Sequence, residues 1–212
     1  MIRKAKVIIM ADTYNTVNML PKKMIVEDCK GFRDIDLITE QFSKARLYLV
    51  GEIDQRMAMD FITAMSVLSE EQRDVDIIIN SPGGEVSAGL VIYDIIQSYR
   101  NKITMYCTGL AASMGAVIFA GGQKGRRFIL PHSRVMIHEP LIAGGMGGSA
   151  TTIEKTAQTI LETKSVLSKI LSHHTGKTVD QINSATVFDN YMSAEEAIRF
   201  GICDDIKSVF DN

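Results

Sequence analysis

The sequence has no surplus of charge: 23 lysines and arginines face 25 aspartates and glutamates, for a formal net charge of -2. Nucleic acid and anionic membrane surfaces are held mainly by excess positive charge, so both are excluded as expected partners. Cysteine is also scarce. Cys29, Cys107 and Cys203 are odd in number and have neither paired disulfide spacing nor a C-x-x-C metal pattern, which points to a reducing compartment, the cytoplasm, and to no metal site. Long apolar runs are missing. The run from Val7 to Ala11, preceded by Arg3, Lys4 and Lys6 and ended by Asp12, is too short for a secretory signal or a membrane span. Internal repeats and low-complexity tracts are absent as well.

The chain has 212 residues, 46% of them hydrophobic and 23% charged, enough for one globular core. Residues 1–33 show no clear period and read as a removable leader or a flexible arm, followed by a single domain over 34–212. From Ala45 onward strand-like and helix-like stretches alternate. Leu47 to Val50, Val75 to Ile79 and Ile103 to Cys107 are short aliphatic or β-branched runs, and Met57 to Leu68 and Ala88 to Tyr99 have helical spacing. Such alternation predicts α/β units around a largely parallel, buried sheet. Ser149 can cap a long helix running to His174, with Gly176 as its stop. That helix is longer than one small domain usually requires, which suggests that it reaches another subunit.

Three segments carry the chemistry. A serine hydroxyl is a poor nucleophile until a base removes its proton and N–H donors stabilise the oxyanion that forms. Ser113, in Gly109-Leu-Ala-Ala-Ser113-Met-Gly115, stands between a strand and a small-residue helical stretch, where a tight turn can expose its Oγ. Taken alone, it reads as a helix cap, a position serine favours. Gly83 and Gly84 end a strand in a turn that permits backbone conformations closed to other residues. His138 closes the apolar run before Pro140. His132 lies in a loop, and His173 and His174 end the long helix as expected C-terminal cations.

In this order, Ser81-Pro-Gly-Gly84, Ala111-Ala-Ser-Met-Gly-Ala116 and Met136-Ile-His-Glu-Pro140 resemble the ClpP family of ATP-dependent caseinolytic serine peptidases. The likeness continues through Asp94, His174-Thr-Gly176, Met192-Ser-Ala-Glu-Glu-Ala197 and Gly201-Ile-Cys-Asp204. It implies ClpP/crotonase-like stacked ββα units with a long protruding handle helix. By the same likeness Ser113 is the nucleophile, His138 the general base, and Asp189 the acid that orients His138. The backbone N–H groups of Gly84 and Met114 form the oxyanion hole. Gly83, Glu85 and Val86, together with Gly144 and Gly145 of the glycine-rich stretch 144–148, lie along the substrate backbone.

The family likeness further implies an axial N-terminal arm, two stacked rings forming a tetradecamer, and no cofactor bound by this chain. ATP is used by a partner AAA+ unfoldase that feeds unfolded polypeptide. Two departures bear on partners. Val187 and Phe188 stand where the family carries an acid–Arg pair, and Asp76, Ile78 and Ser98 stand where docking aromatics are common, so mixing with a second ClpP-like subunit is an expected alternative to a homo-oligomer. The rival readings are a catalytically silent ring subunit, a crotonase-type acyl-CoA enzyme, a Cys107 nucleophile, and a Ser/Lys dyad using Lys102 or Lys124.

Overall fold

The computed structural model describes residues 7–9, 23–28, 31–142, 147–208 and 210. The chain divides into two compact units, Met1–Arg46 and Leu47–Asn212. In the first, β1 (Val7–Ile9), β2 (Lys23–Asp28) and β3 (Gly31–Asp36) form an antiparallel sheet. The Asp36 carboxylate then accepts from the Ile38 N–H at 2.9 Å and starts helix α1 (Leu37–Ser43). The boundary expected at 33/34 therefore falls inside β3.

In the second unit, β4 (Arg46–Val50), β5 (Val75–Ser81), β6 (Ile103–Ala112), β7 (Arg127–Ile129) and β10 (Asp205–Ile206) lie in the order β10-β7-β6-β5-β4. The β5–β6, β6–β7 and β7–β10 pairs are parallel. The second half of β6 pairs in parallel with β8 (Arg134–Ile137), and β8 pairs antiparallel with β9 (Asn190–Met192). Val75, Ile77, Ile78 and Ile79 of β5 are all buried, as expected of a parallel strand covered on both faces. The fold is therefore the expected α/β class.

Among the described residues this unit has six α-helices: α2 (Gln55–Glu70), α3 (Val86–Tyr99), α4 (Met114–Ala120), α5 (Ala150–Thr175), α6 (Val179–Ala185) and α7 (Ala194–Phe200). All seven residues of α4 are buried, and the helix packs against β5, β6, β8, α3 and α5. α5 begins at the Ser149 cap and stops at Gly176, whose φ of 75° is the left-handed conformation that glycine adopts without strain. Of its 26 residues only Leu167, Ser168 and Leu171 are buried. The helix therefore packs by its C-terminal third, and Ile153 and Leu161 stand exposed toward its other end.

A buried ion pair ties the C-terminal segment to the sheet. Arg127 is 2% exposed, and it meets Asp204 through Nε at 3.0 Å and Nη2 at 2.7 Å while Nη1 donates to the Ala120 carbonyl. Burial pushes the Asp204 carboxyl up, but hydrogen bonds and charge from Arg127, with the N–H groups of Arg127 and Gly125, outweigh it and hold the carboxyl below the usual range. Beside this pair, His174 Nε2 lies 2.9 Å from the Tyr93 hydroxyl. Burial first, and then the charges of His173, Arg127 and Arg100, lower its pKa from 6.5 to about 4. His174 is therefore a half-buried, neutral group near neutral pH, not the C-terminal cation expected from its position, because this helix end is partly packed rather than fully solvated.

This has a measurable consequence. A histidine whose pKa is depressed on folding binds its proton more readily in the unfolded chain, so stability is full above about 6.5 and falls as pH drops toward about 4. Thermal melts should lose about 1–2 kcal/mol across that window, a value reduced for partial solvent screening. His174→Gln, which keeps a partner for Tyr93 but cannot titrate, should flatten the slope. An equally steep slope in that variant would show that other groups carry it.

Candidate active site

The register of three strands brings the expected site residues together. β6 and β8 pair Ala112 with Met136, and the Ser113 N–H continues that ladder by donating to the Met136 carbonyl at 2.9 Å. β8 and β9 pair Ile137 with Asn190, so the next positions in the antiparallel register are His138 and Asp189. The result is a hydrogen-bonded chain: Ser113 Oγ lies 2.9 Å from His138 Nε2, and His138 Nδ1 lies 3.2 Å from Asp189 Oδ1. The His138 side chain is 15% exposed and that of Asp189 58%.

Ser113 sits in a backbone conformation that side chains rarely adopt, with φ 52° and ψ -121°. Strain of this kind costs roughly 1–3 kcal/mol and persists only where the surroundings enforce it. Here the end of β6 and the buried helix α4 fix the chain on either side. The turn lifts Oγ out of the strand toward His138, as at a strand-to-helix nucleophile elbow.

Opposite this elbow runs the loop 81–85, held by main-chain bonds. The Ile53 N–H donates to the Gly83 carbonyl at 2.8 Å, and the Glu85 N–H donates to the Ile53 carbonyl at 2.8 Å. Because a trans peptide is planar, anchoring the Gly83 carbonyl on Ile53 turns the Gly84 N–H the other way. Among the described residues neither the Gly84 N–H nor the Met114 N–H donates to a protein acceptor. Both residues line a cavity of about 150 Å³ together with Ser113 and His138, and Val86, Ile137, Leu167 and Leu171 supply apolar wall. The serine oxygen, a base and unused N–H donors thus share one small, mostly apolar hollow.

Among the other residues expected at the site, Gly83 packs against the elbow itself and Val86 lines the cavity. Glu85 stands at the N-cap position of α3 without a side-chain bond to the helix backbone, and its carboxylate accepts from Gln55 Nε2 at 2.7 Å and from the Ser87 hydroxyl. Those bonds to Ser87 and Gln55 hold it below the usual carboxylate range. Gly144 and Gly145 lie outside the described residues. Cys107 is fully buried in β6, and burial pushes its thiol up to about 12, so it has no thiolate to offer as a nucleophile. Lys102 Nζ donates to the Gln72 carbonyl at 2.6 Å. Ile53 carried no signal in the sequence, because its part in the site is played by its backbone alone.

An α/β chain with a strained serine, a partnered histidine and unused N–H donors has the equipment of an acyl-transferring hydrolase. The family is shown independently: the family model for Clp protease matches residues 30–209, and the chain belongs to that family of peptidases.

At its two glycines the loop has no room for a side chain. A Cβ on Gly84 would stand 2.2 Å from the Ile53 carbonyl oxygen, and one on Gly83 would stand 2.6 Å from Ser113 Cβ, whereas Gly125 faces open space. Gly84→Ala should therefore cost about 1–3 kcal/mol in urea unfolding through overpacking against backbone, on top of its φ of 152°. Gly125→Ala, strained only by its φ of 85°, should cost less. Equal losses would mean that the loop yields to accommodate the methyl group.

Proposed function

We propose that this chain is the proteolytic subunit of an ATP-dependent Clp protease and cleaves peptide bonds as a serine endopeptidase. The observation that carries this reading is the continuous chain Ser113–His138–Asp189 opening on the cavity that Gly84 and Met114 share. His138 Nε2 takes the Ser113 proton as Oγ bonds to the substrate carbonyl carbon, and the carbonyl oxygen becomes an oxyanion facing the Gly84 and Met114 N–H groups. Collapse breaks the C–N bond, and the leaving amine takes the proton from His138. Water then repeats the sequence on the acyl-enzyme and frees Ser113. Asp189 accepts from Nδ1–H, which keeps Nε2 free to act as base and stabilises the cation that forms. No cofactor is required of this chain.

The long helix supports an oligomer of stacked rings, homomeric or shared with a second ClpP-like subunit, since among the described residues only Leu167, Ser168 and Leu171 of α5 are buried. Enclosure would keep such a peptidase harmless in the cytoplasm, with an AAA+ unfoldase spending ATP to deliver unfolded polypeptide. Residues 1–33 would then form a leader or an axial arm. Of the three positions lacking the family's docking aromatics, Asp76 and Ile78 share one face of β5 while Ser98 lies on α3. We expect docking to be weak for this subunit alone. Among the described residues no helix is long and apolar enough to cross a membrane.

Two experiments test the reading. Ser113→Ala should lower peptide hydrolysis by at least about 10³-fold, and a fluorophosphonate should label Ser113 and no other residue. Residual activity of more than a few per cent, or a label elsewhere, sinks the serine mechanism. Under active conditions the native mass should be a large multiple of 23.4 kDa, with short peptides cleaved slowly and a folded, tagged substrate degraded only with an unfoldase and ATP. An active 23.4 kDa monomer would falsify the ring.

A further inference from the structure

Among the described residues, Ser81 is the side chain that grips the loop bearing the Gly84 N–H from within. It ends β5 where the β5–β6 register shifts, and it is 1% exposed. Its hydroxyl donates to the Gly51 carbonyl at 2.6 Å and accepts from the Gly83 N–H at 3.1 Å. With its one proton committed to Gly51, the oxygen can only receive at Gly83, so the direction of both bonds is fixed.

These bonds act on successive peptide units. Ser81 Oγ fixes the N–H of the 82–83 peptide, while the Ile53 N–H fixes the carbonyl of the 83–84 peptide at 2.8 Å. A planar peptide held at its carbonyl can still tilt about the bonds that flank it, and Gly83 and Gly84, at φ 97° and 152°, have no Cβ to resist tilting. Pinning the preceding N–H removes that freedom. The elbow limits the loop from the other side, because the space a Cβ on Gly83 would need is taken by Ser113 Cβ and the Ala112 carbonyl. The carbonyl of Ser81 also lies where a Cβ on Gly115 would meet it at 3.2 Å, so the residue abuts the loop and helix α4 together.

We infer that Ser81 is a positioning residue for catalysis: its hydroxyl, through Gly83, sets the direction of the Gly84 N–H toward the developing oxyanion. The inference rests on the proposed roles of Ser113 and Gly84. It predicts a loss felt in the transition state and not in substrate binding, since Ser81 is sealed away from the cavity that holds substrate. An oxyanion donor removed outright costs about 10²–10³-fold in kcat, and one left in place but misdirected should cost less.

The test is a kinetic and inhibitor comparison of Ser81→Ala, Ser81→Cys and Ser81→Thr with the wild-type assembly, each checked for native mass and melting temperature. For Ser81→Ala we expect kcat to fall about 10- to 100-fold with KM within about twofold. Affinity for a peptide aldehyde, whose hemiacetal oxygen occupies the oxyanion position, should fall by the same factor, while affinity for an uncleaved product peptide should stay. Ser81→Thr, which keeps the hydroxyl, should recover most of kcat, and Ser81→Cys should fall between. Wild-type kcat and aldehyde affinity in a folded Ser81→Ala protein overturn the inference, as does a change confined to KM or to melting temperature. If Ser81→Ala does not fold, the order Ser, Thr, Cys in kcat at constant KM decides, and equal kcat for Ser81→Cys and wild type refutes it. Failure of the underlying reading appears separately, as hydrolysis that survives Ser113→Ala.

Discussion

The position of β8 between β6 and β9 is the constraint on which the site depends. β6 contributes the serine just beyond its last residue, β8 the histidine just beyond its own, and β9 the aspartate just before its first. No helix or loop could compensate for an error here, because a one-residue slip would turn His138 to the opposite face of the strand. Burial guards the register. Val135, Met136 and Ile137 are all buried while Arg134 is exposed and lies over the Tyr191 ring at 5.5 Å, across the β8–β9 pair. Shifting the strand would submerge that guanidinium and expose an aliphatic side chain.

The second requirement is to hold Ser113 in a conformation the chain resists. The strain is set against the complete burial of α4, whose Val117, Ile118 and Phe119 each contribute about 1.5–3 kcal/mol when withdrawn from water. That burial more than offsets the cost of one residue at φ 52°. Small residues surround the elbow because two chain segments meet there at backbone distance. Gly83 abuts Ser113, and Gly115 abuts the Ser81 carbonyl. The glycines and alanines that make these motifs recognisable are the residues permitting this close approach, so the motif and the packing have one cause.

What could be read in the sequence follows from the range of the interactions involved. Local signals were legible: Ser149 and Gly176 bound the long helix as capping chemistry requires, and the aliphatic runs of β4, β5 and β6 became strands extended by a few residues. Ser113 and His138 stand in motifs whose family likeness assigns their roles, whereas Asp189 has no motif of its own and is named by that likeness alone, since its place beside His138 comes from antiparallel pairing across 51 residues. The strands before residue 34 escaped notice because β2 and β3 stabilise each other by pairing and not by a clean alternation of their own. The C-terminal position of His174 suggests a cation, but its lowered pKa comes first from burial and then from the charges of His173, Arg127 and Arg100, and that burial exists only in the folded chain. Ser81 belongs to a recognisable motif, yet nothing in the sequence assigns it a role, since both its partners are main-chain atoms and leave no sequence mark.

The two links of the hydrogen-bonded chain are secured in different ways. The Ser113–His138 link lies in a half-buried hollow with backbone support on both sides, whereas Asp189 is mostly open to water. Its carboxylate is positioned by the chain around it: Asn190 Nδ2 donates to the Ala185 carbonyl at 3.1 Å, and the Glu139 N–H donates to the Thr186 carbonyl at 2.9 Å, joining the His138 and Asp189 segments directly. An exposed carboxylate exchanges partners readily, and a neighbouring arginine with its forked donors would compete well for it. Here the residue before it is Phe188, 82% exposed and with no side-chain donor, and His138 is the side chain hydrogen-bonded to Asp189 among the described residues. Among the described residues the carboxylate is thus left to a single donor, and it is the β8–β9 register that sets where the His138 ring meets it.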